Sequence, residues 1–198
     1  MSKYPGTASL LVIIAIAFAV EISCGAIGND TVLLSLGALP DSGQLFGQYW
    51  RFLSFGMLHA DMVHILANSA LLVGIGPVVE RRVGTAGVIS LFVTASVFSG
   101  ICILLKHILL PSVGTSQGAS GGLFGLLGAA LVLVYRLPSS NPRVPRWLWI
   151  TLLGGSAVSL LPGVSMVGHL AGLLVGVPVA FFIPLPRPTP AGGSAVPN

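Results

Sequence analysis

Six stretches of this sequence, approximately 8–27, 62–79, 87–105, 119–136, 147–164 and 166–185, are built almost wholly from apolar and small residues. Between them they hold two formally charged side chains, Glu21 and Arg136. A helix needs about 20 such residues to cross the hydrocarbon core of a bilayer, and these segments reach or approach that length. Several fall short of it, the fourth and fifth among them, which implies a locally thinned bilayer around these or shelter by neighbouring helices. Composition agrees. The chain is 54% hydrophobic and 7% charged, with a mean hydropathy of +0.96, whereas a soluble domain carries roughly 25% charged residues. The expected fold class is therefore all-α, a polytopic membrane protein with six transmembrane helices in one domain, residues 1–185.

Breakers separate the segments: Gly84, Pro111 with Gly114, the stretch Pro138 to Pro145, and Pro162-Gly163. From 186 to 198 the chain is rich in Pro, Gly and Ala and is read as a disordered tail. The net charge of +4 comes from basic residues scattered singly or in pairs, with no nucleic-acid motif beside them. Their placement reads as topology. Lys3, Arg81, Arg82, Arg136, Arg143, Arg146 and Arg187 fall on one side of a six-span arrangement, and Arg51 and Lys106 on the other. The positive-inside rule then places both termini in the cytoplasm. The loop from Gly28 to Ala60 faces outward. Half of it is apolar and it contains Tyr49-Trp50-Arg51-Phe52, the mix expected of a segment embedded at the membrane interface.

Lys3 and the apolar run from Ala8 to Val20 also fit a signal peptide, but apolarity resumes past Glu21 to Ile27, and a retained first helix is the expectation. Cys24 and Cys102 both lie in apolar stretches. They are read as bystanders facing lipid or core, with a redox or acylated role as the other reading.

Polar residues inside apolar spans carry the most information, because burying them in lipid is costly. His64 and Asn68 stand at i and i+4 and share a helix face; alone, the pair reads first as interhelical glue. Ser120 sits in Gly118-Ala119-Ser120-Gly121-Gly122, where the fourth helix should begin. A serine there is by default an N-cap. Yet the glycines permit a tight turn and close approach to the hydroxyl, and the first turn of a helix offers unpaired N–H groups to an oxyanion. A serine nucleophile needs a base within hydrogen-bond reach, and His169 is the candidate. His169, Gly172 and Gly176 line one helix face, and the glycines permit very close helix packing. The fourth span offers Gly121, Gly125 and Gly128 in return. No Asp or Glu follows Glu80, so a Ser–His dyad is the economical arrangement. Phe124, one turn after Ser120, either stacks on the imidazole or packs as an ordinary apolar residue.

In combination and order these residues resemble the rhomboid intramembrane serine proteases, of the compact six-helix bacterial type. The resemblance runs from about Tyr49 to Gly176. It rests on Trp50-Arg51, then His59 with His64-Ile65-Leu66-Ala67-Asn68, and Glu80-Arg81-Arg82. Gly118-Ala119-Ser120-Gly121 follows, and last Gly168-His169-Leu170-Ala171-Gly172 with Gly176. The resemblance implies Ser120 as nucleophile and His169 as general base. The Ser120 backbone N–H with the His64 and Asn68 side chains would form the oxyanion hole. Trp50 and Arg51 would fix the outer loop, and Glu80 with Arg82 would brace the cytoplasmic end of the second helix. Phe124 stands where the family often has tyrosine, so the stacking is kept and a hydroxyl lost. The soluble N-terminal domain of some members is not expected, nor regulation through it.

The function implied is hydrolysis of peptide bonds in or near transmembrane segments of other membrane proteins. The site would open on the outer side of a bacterial cytoplasmic membrane. The partners implied are transmembrane protein substrates and the lipid bilayer, with no nucleic acid, no cofactor and no metal. Rival readings are a zinc site built from His59, His64 and His169, a transporter, and a catalytically silent rhomboid-like protein that binds transmembrane helices. The zinc reading lacks a nearby carboxylate base and leaves the glycines around Ser120 unexplained. A transporter predicts internal repeats, and none is seen. The silent protein usually lacks the nucleophile or base, and both are present here.

Overall fold

The computed structural model describes residues 3–136, 145–161 and 163–184. The tail from 186, Arg143, Arg187, Pro162 and the breaker run 138–144 lie outside these. The described chain folds into helices α1 (Pro5–Ser23), α2 (Asp30–Leu36), α3 (Arg51–Ser54), α4 (Met62–Leu109), α5 (Ser120–Tyr135), α6 (Arg146–Val158) and α7 (Met166–Phe182). By length and composition α1 and α4 are long and apolar enough to cross a membrane, and α5 and α7 are shorter apolar helices.

Helix ends follow local chemistry. Pro5 occupies the first turn of α1, where its missing N–H costs nothing. The Asn29, Asp61 and Ser165 side chains accept the N–H groups of Val32, His64 and Gly168 and start α2, α4 and α7. Gly37, left-handed at φ 115°, ends α2.

Several boundaries differ from the sequence expectation. The apolar segments 62–79 and 87–105 belong to one run, α4, in which Gly84 alone leaves helical geometry, at φ 73° and ψ 177°. That conformation is open to glycine and strained for other residues. The fifth segment stops at Val158 rather than 164. Besides α2 and α3 the outer loop carries strand β1 (Leu39–Pro40), which pairs antiparallel with β2 (Thr115–Ser116). Two residues per strand leave no alternation to read in the sequence. The ladder is latched by Asp41, whose Oδ1 accepts from Ser116 Oγ at 2.7 Å and lies 3.1 Å from His107 Nε2.

Arg51 organises the same loop. Its guanidinium donates to the carbonyls of Leu34 and Ala38 and to Gln48 Oε1, and lies 4.9 Å from the Trp50 ring. Burial lowers its pKa. Around it Phe46, Tyr49, Trp50 and Leu53 remain exposed.

The core sits around α5, buried at every position from Gly121 to Ala130. Leu10 and Ile14 of α1, Leu72, Ile75, Val79, Val88 and Phe92 of α4, and Ala180 of α7 pack with Leu123, Leu126 and Leu127. From α6, Leu148 alone is fully enclosed. The outward face is apolar too, with Ile13, Ile16, Val73, Leu153, Leu174 and Phe181 exposed. A surface of this kind suits lipid rather than water.

Candidate active site

The site is set by how closely α5 and α7 approach. A Cβ on Gly172 would overlap the carbonyl oxygen of Gly121, and one on Gly176 would overlap that of Gly125. Only glycine lets the backbones touch there. Gly128 continues the contact against Val177. This brings Phe124 and His169 together, ring centroids 4.0 Å apart and planes 5° from parallel. Ser120 lies one turn before Phe124 on the same face of α5.

Ser120 is not the N-cap of its helix. Ala119 holds that place, and no side chain caps the first turn. Ser120 is half-buried, and its hydroxyl makes no hydrogen bond among the described residues, none to His169 in particular. The first N–H groups of α5 therefore face no capping oxygen, and the hydroxyl is uncommitted. Gly118 N donates to Phe55 O at 2.9 Å, which anchors the turn before the serine. Gly118 stands at φ 137°, and a Cβ there would meet the His64 ring at 2.7 Å, so glycine is what lets that ring lie against the turn.

His64 and His59 meet edge to face at 5.0 Å. His59 is fully enclosed. Its Nδ1 lies 3.2 Å from Met57 O, and its Nε2 lies 3.0 Å from Asn68 Nδ2. The carbonyl only accepts, so Nδ1 carries the proton and Nε2 accepts from the Asn68 amide. Asn68 keeps its second N–H. Burial first, and the neighbouring His64 second, push the His59 pKa down to about 4. Behind His59, its backbone N–H donates to Glu21 Oε1 at 2.7 Å. Glu21, buried in α1, thus serves the His59 backbone and, among the described residues, makes no bond to His169.

His169 is 7% exposed. Its Nδ1 lies 2.5 Å from the hydroxyl of Ser159, the residue that ends α6; among the described residues Nε2 has no partner. Sequence reasoning misses Ser159. A signal was present, since Leu148, Leu152, Gly155 and Ser159 recur at helical spacing on one face. Ser99 Oγ donates to Gly168 O at 2.8 Å and steadies the turn that presents the histidine. Among the described residues no three His, Cys, Asp or Glu side chains are grouped to hold a metal ion. The three histidines of the zinc reading include two whose rings are bonded to Asn68 and Ser159.

Among the described residues Trp50, Arg51 and Glu80 make no bond to Ser120 or His169. Glu80 is not paired with Arg82. Its carboxylate accepts from Gly6 N, Thr7 N, Thr7 Oγ1 and Thr85 Oγ1, binding the start of α1 to α4.

The family model described as the Rhomboid domain matches residues 46–185, which include all the residues just described except those of α1. The rhomboid protease GlpG of Yersinia pestis (strain Pestoides F) is 29% identical over 160 residues, 79% of this chain and 56% of that protein. The rhomboid protease GluP of Bacillus subtilis (strain 168) is 30% identical over 175 residues, 86% of this chain and 33% of that one. The chain thus spans about half the length of the first and a third of the second. The match over most of its length shows that this protein, a helical integral membrane protein, belongs to the rhomboid family.

Proposed function

We propose that this chain is an intramembrane serine endopeptidase that cleaves transmembrane segments of other membrane proteins with a Ser120–His169 dyad. The observation that carries the reading is the arrangement of three side chains. His169 is stacked on Phe124, and one helical turn along the same face stands a serine whose hydroxyl caps nothing. Neither a capping serine nor a packing histidine needs this arrangement.

In the proposed reaction Ser120 Oγ attacks the scissile carbonyl carbon while His169 Nε2 takes its proton. The tetrahedral oxyanion is held by the Ser120 backbone N–H, the free N–H of Asn68 and the His64 ring. His169 then returns the proton to the leaving amine. Water repeats the sequence to release the acyl group. Hydrogen bonds between catalytic groups are often long before substrate binds, and a loose Ser120–His169 pair agrees with that. A helical substrate must unwind to present its carbonyl, so segments with small or helix-breaking residues are the expected substrates. The reading includes six spans, with α4 counted as two on either side of Gly84. It places both termini in the cytoplasm and the dyad near the outer surface, on the strength of the basic-residue distribution.

A catalytically silent, helix-binding rhomboid is the second reading, and the missing Ser120–His169 hydrogen bond favours it. Covalent labelling of the purified, detergent-solubilised protein by a fluorophosphonate separates the two. The protease reading expects labelling of the wild type that is lost in Ser120→Ala and His169→Ala. An unlabelled wild type, beside an active rhomboid labelled in the same detergent, decides for the silent protein.

A further inference from the structure

His169 needs more than a nucleophile beside it. A neutral imidazole has one N–H, and only the tautomer with its lone pair on the serine-facing nitrogen is a base for that serine. In the Ser–His–Asp arrangement a carboxylate fixes this choice. Here no acid follows Glu80 in the sequence, and among the described residues none is bonded to His169.

The hydrogen bonds around Ser159 fix the tautomer instead. Ser159 Oγ lies 2.7 Å from Gly155 O and 2.5 Å from His169 Nδ1. A hydroxyl has one proton to give, and a carbonyl oxygen can only accept. Were that proton turned toward Nδ1, two oxygens would face each other at 2.7 Å with no hydrogen between them. The proton therefore goes to Gly155 O, and Ser159 Oγ accepts from Nδ1–H. That leaves the lone pair on Nε2, the nitrogen with no partner among the described residues.

We infer that Ser159 is the positioning residue of the dyad: its hydroxyl, turned by the Gly155 carbonyl, holds His169 in the Nδ1–H tautomer that makes Nε2 the base. The inference rests on the protease reading and adds a third member to it. When Nε2 takes the Ser120 proton, the ring becomes cationic and the Nδ1–H···Oγ bond becomes charge-assisted. The hydroxyl, already polarised by Gly155 O, is then a better acceptor. Ser159 is buried, at 6% exposed, so water does not readily take its place.

Two measurements on the full chain test this. The first is ¹⁵N NMR of the histidine imidazoles in detergent, with His169 assigned by comparison with His169→Ala. The second is kcat and KM on a single-span transmembrane peptide with small residues near its outer end. In the wild type His169 is expected as the Nδ1–H tautomer. In Ser159→Ala the fixed tautomer is lost and kcat falls about 10- to 100-fold, the effect of losing one hydrogen bond to a group that becomes charged. KM stays the same. Ser159→Thr, which keeps the hydroxyl, restores the tautomer and most of kcat. An active wild type whose Ser159→Ala variant keeps the tautomer or the rate overturns the inference alone. A wild type that neither cleaves the peptide nor takes the fluorophosphonate overturns the protease reading and the inference together.

Discussion

Gly155 of α6 faces the far edge of the Phe124 ring: a Cβ built on Gly155 would lie 2.7 Å from Phe124 Cζ. The ring is thus held between a glycine on one helix and the imidazole of His169 on another, and its position is not adjustable without cost. Gly155→Ala is expected to push Phe124 off the histidine and lower kcat about tenfold, for the loss of one stacked ring pair. Phe124→Leu removes the Cζ atom. Combined with Gly155→Ala, it is expected to cost less than the two single changes added together. Peptide cleavage by the four proteins of this double-mutant cycle checks the coupling, and strict additivity would show that the two residues act separately.

The α5–α7 contact has no room for a methyl group. Gly172→Ala and Gly176→Ala place Cβ atoms on backbone carbonyl oxygens of the partner helix, which can yield only if the helices separate. Overpacking of this kind costs about 1–3 kcal/mol, and the separation moves His169 from Ser120 as well. Both variants are expected to unfold at lower temperature in detergent and to lose fluorophosphonate labelling. Gly154→Ala is the control, since a Cβ there meets nothing within 4 Å. A Gly176→Ala protein as stable as Gly154→Ala would show that the helices are not in glycine contact.

His59 makes the fold sensitive to acid. Its pKa is pushed from an ordinary 6.5 down to about 4 by burial and by His64. Between those values the unfolded chain binds the proton and the folded chain does not. Stability is therefore full above about pH 6.5, falls as pH drops, and levels off below about pH 4. The expected loss from this residue is about 3 kcal/mol, since each tenfold weakening of proton binding is worth about 1.4 kcal/mol. Protonation also turns Nε2 from acceptor to donor and breaks its bond to Asn68. Thermal unfolding across about pH 4 to 7 checks this, and His59→Gln is expected to flatten the slope.

Much of this was legible in the sequence, for identifiable reasons. The glycines at 121, 125, 172 and 176 declare the α5–α7 contact because no other residue leaves helix backbones that close. The same logic proposes Ser120 and His169 as partners, although no hydrogen bond joins them among the described residues. Other features were hidden because they depend on where loops return in space. For Glu80 the resemblance implies a brace shared with Arg82 at the end of the second helix. Three of its four bonds among the described residues come from Gly6 and Thr7, more than 70 residues away. Ser159 was hidden differently. A serine at the end of an apolar helix has an ordinary local explanation, and only the fold places His169 against it. Asp61, which caps α4, shows the local explanation holding.

The Glu80 carboxylate gives the last prediction. One oxygen accepts from Gly6 N at 2.7 Å and Thr85 Oγ1 at 3.0 Å, the other from Thr7 N at 2.8 Å and Thr7 Oγ1 at 2.7 Å. The two backbone donors belong to the first turn of α1, whose N–H groups have no partner within the helix, and a negative charge there also complements the helix dipole. Gln at position 80 keeps one carbonyl oxygen but turns an NH₂ toward donors that need an acceptor. One pair of bonds is replaced by donors facing donors, and the charge is lost. At about 1–3 kcal/mol for each buried group left unpaired, Glu80→Gln is expected to release the start of α1 before the rest of the bundle unfolds. Hydrogen exchange at the Gly6 and Thr7 amides should therefore rise sharply, while the amides of α5 stay protected. Equal acceleration in α1 and α5 would mean that Glu80 supports the whole bundle rather than the α1 anchor. Unchanged exchange at Gly6 and Thr7 would mean that the carboxylate is not what holds them.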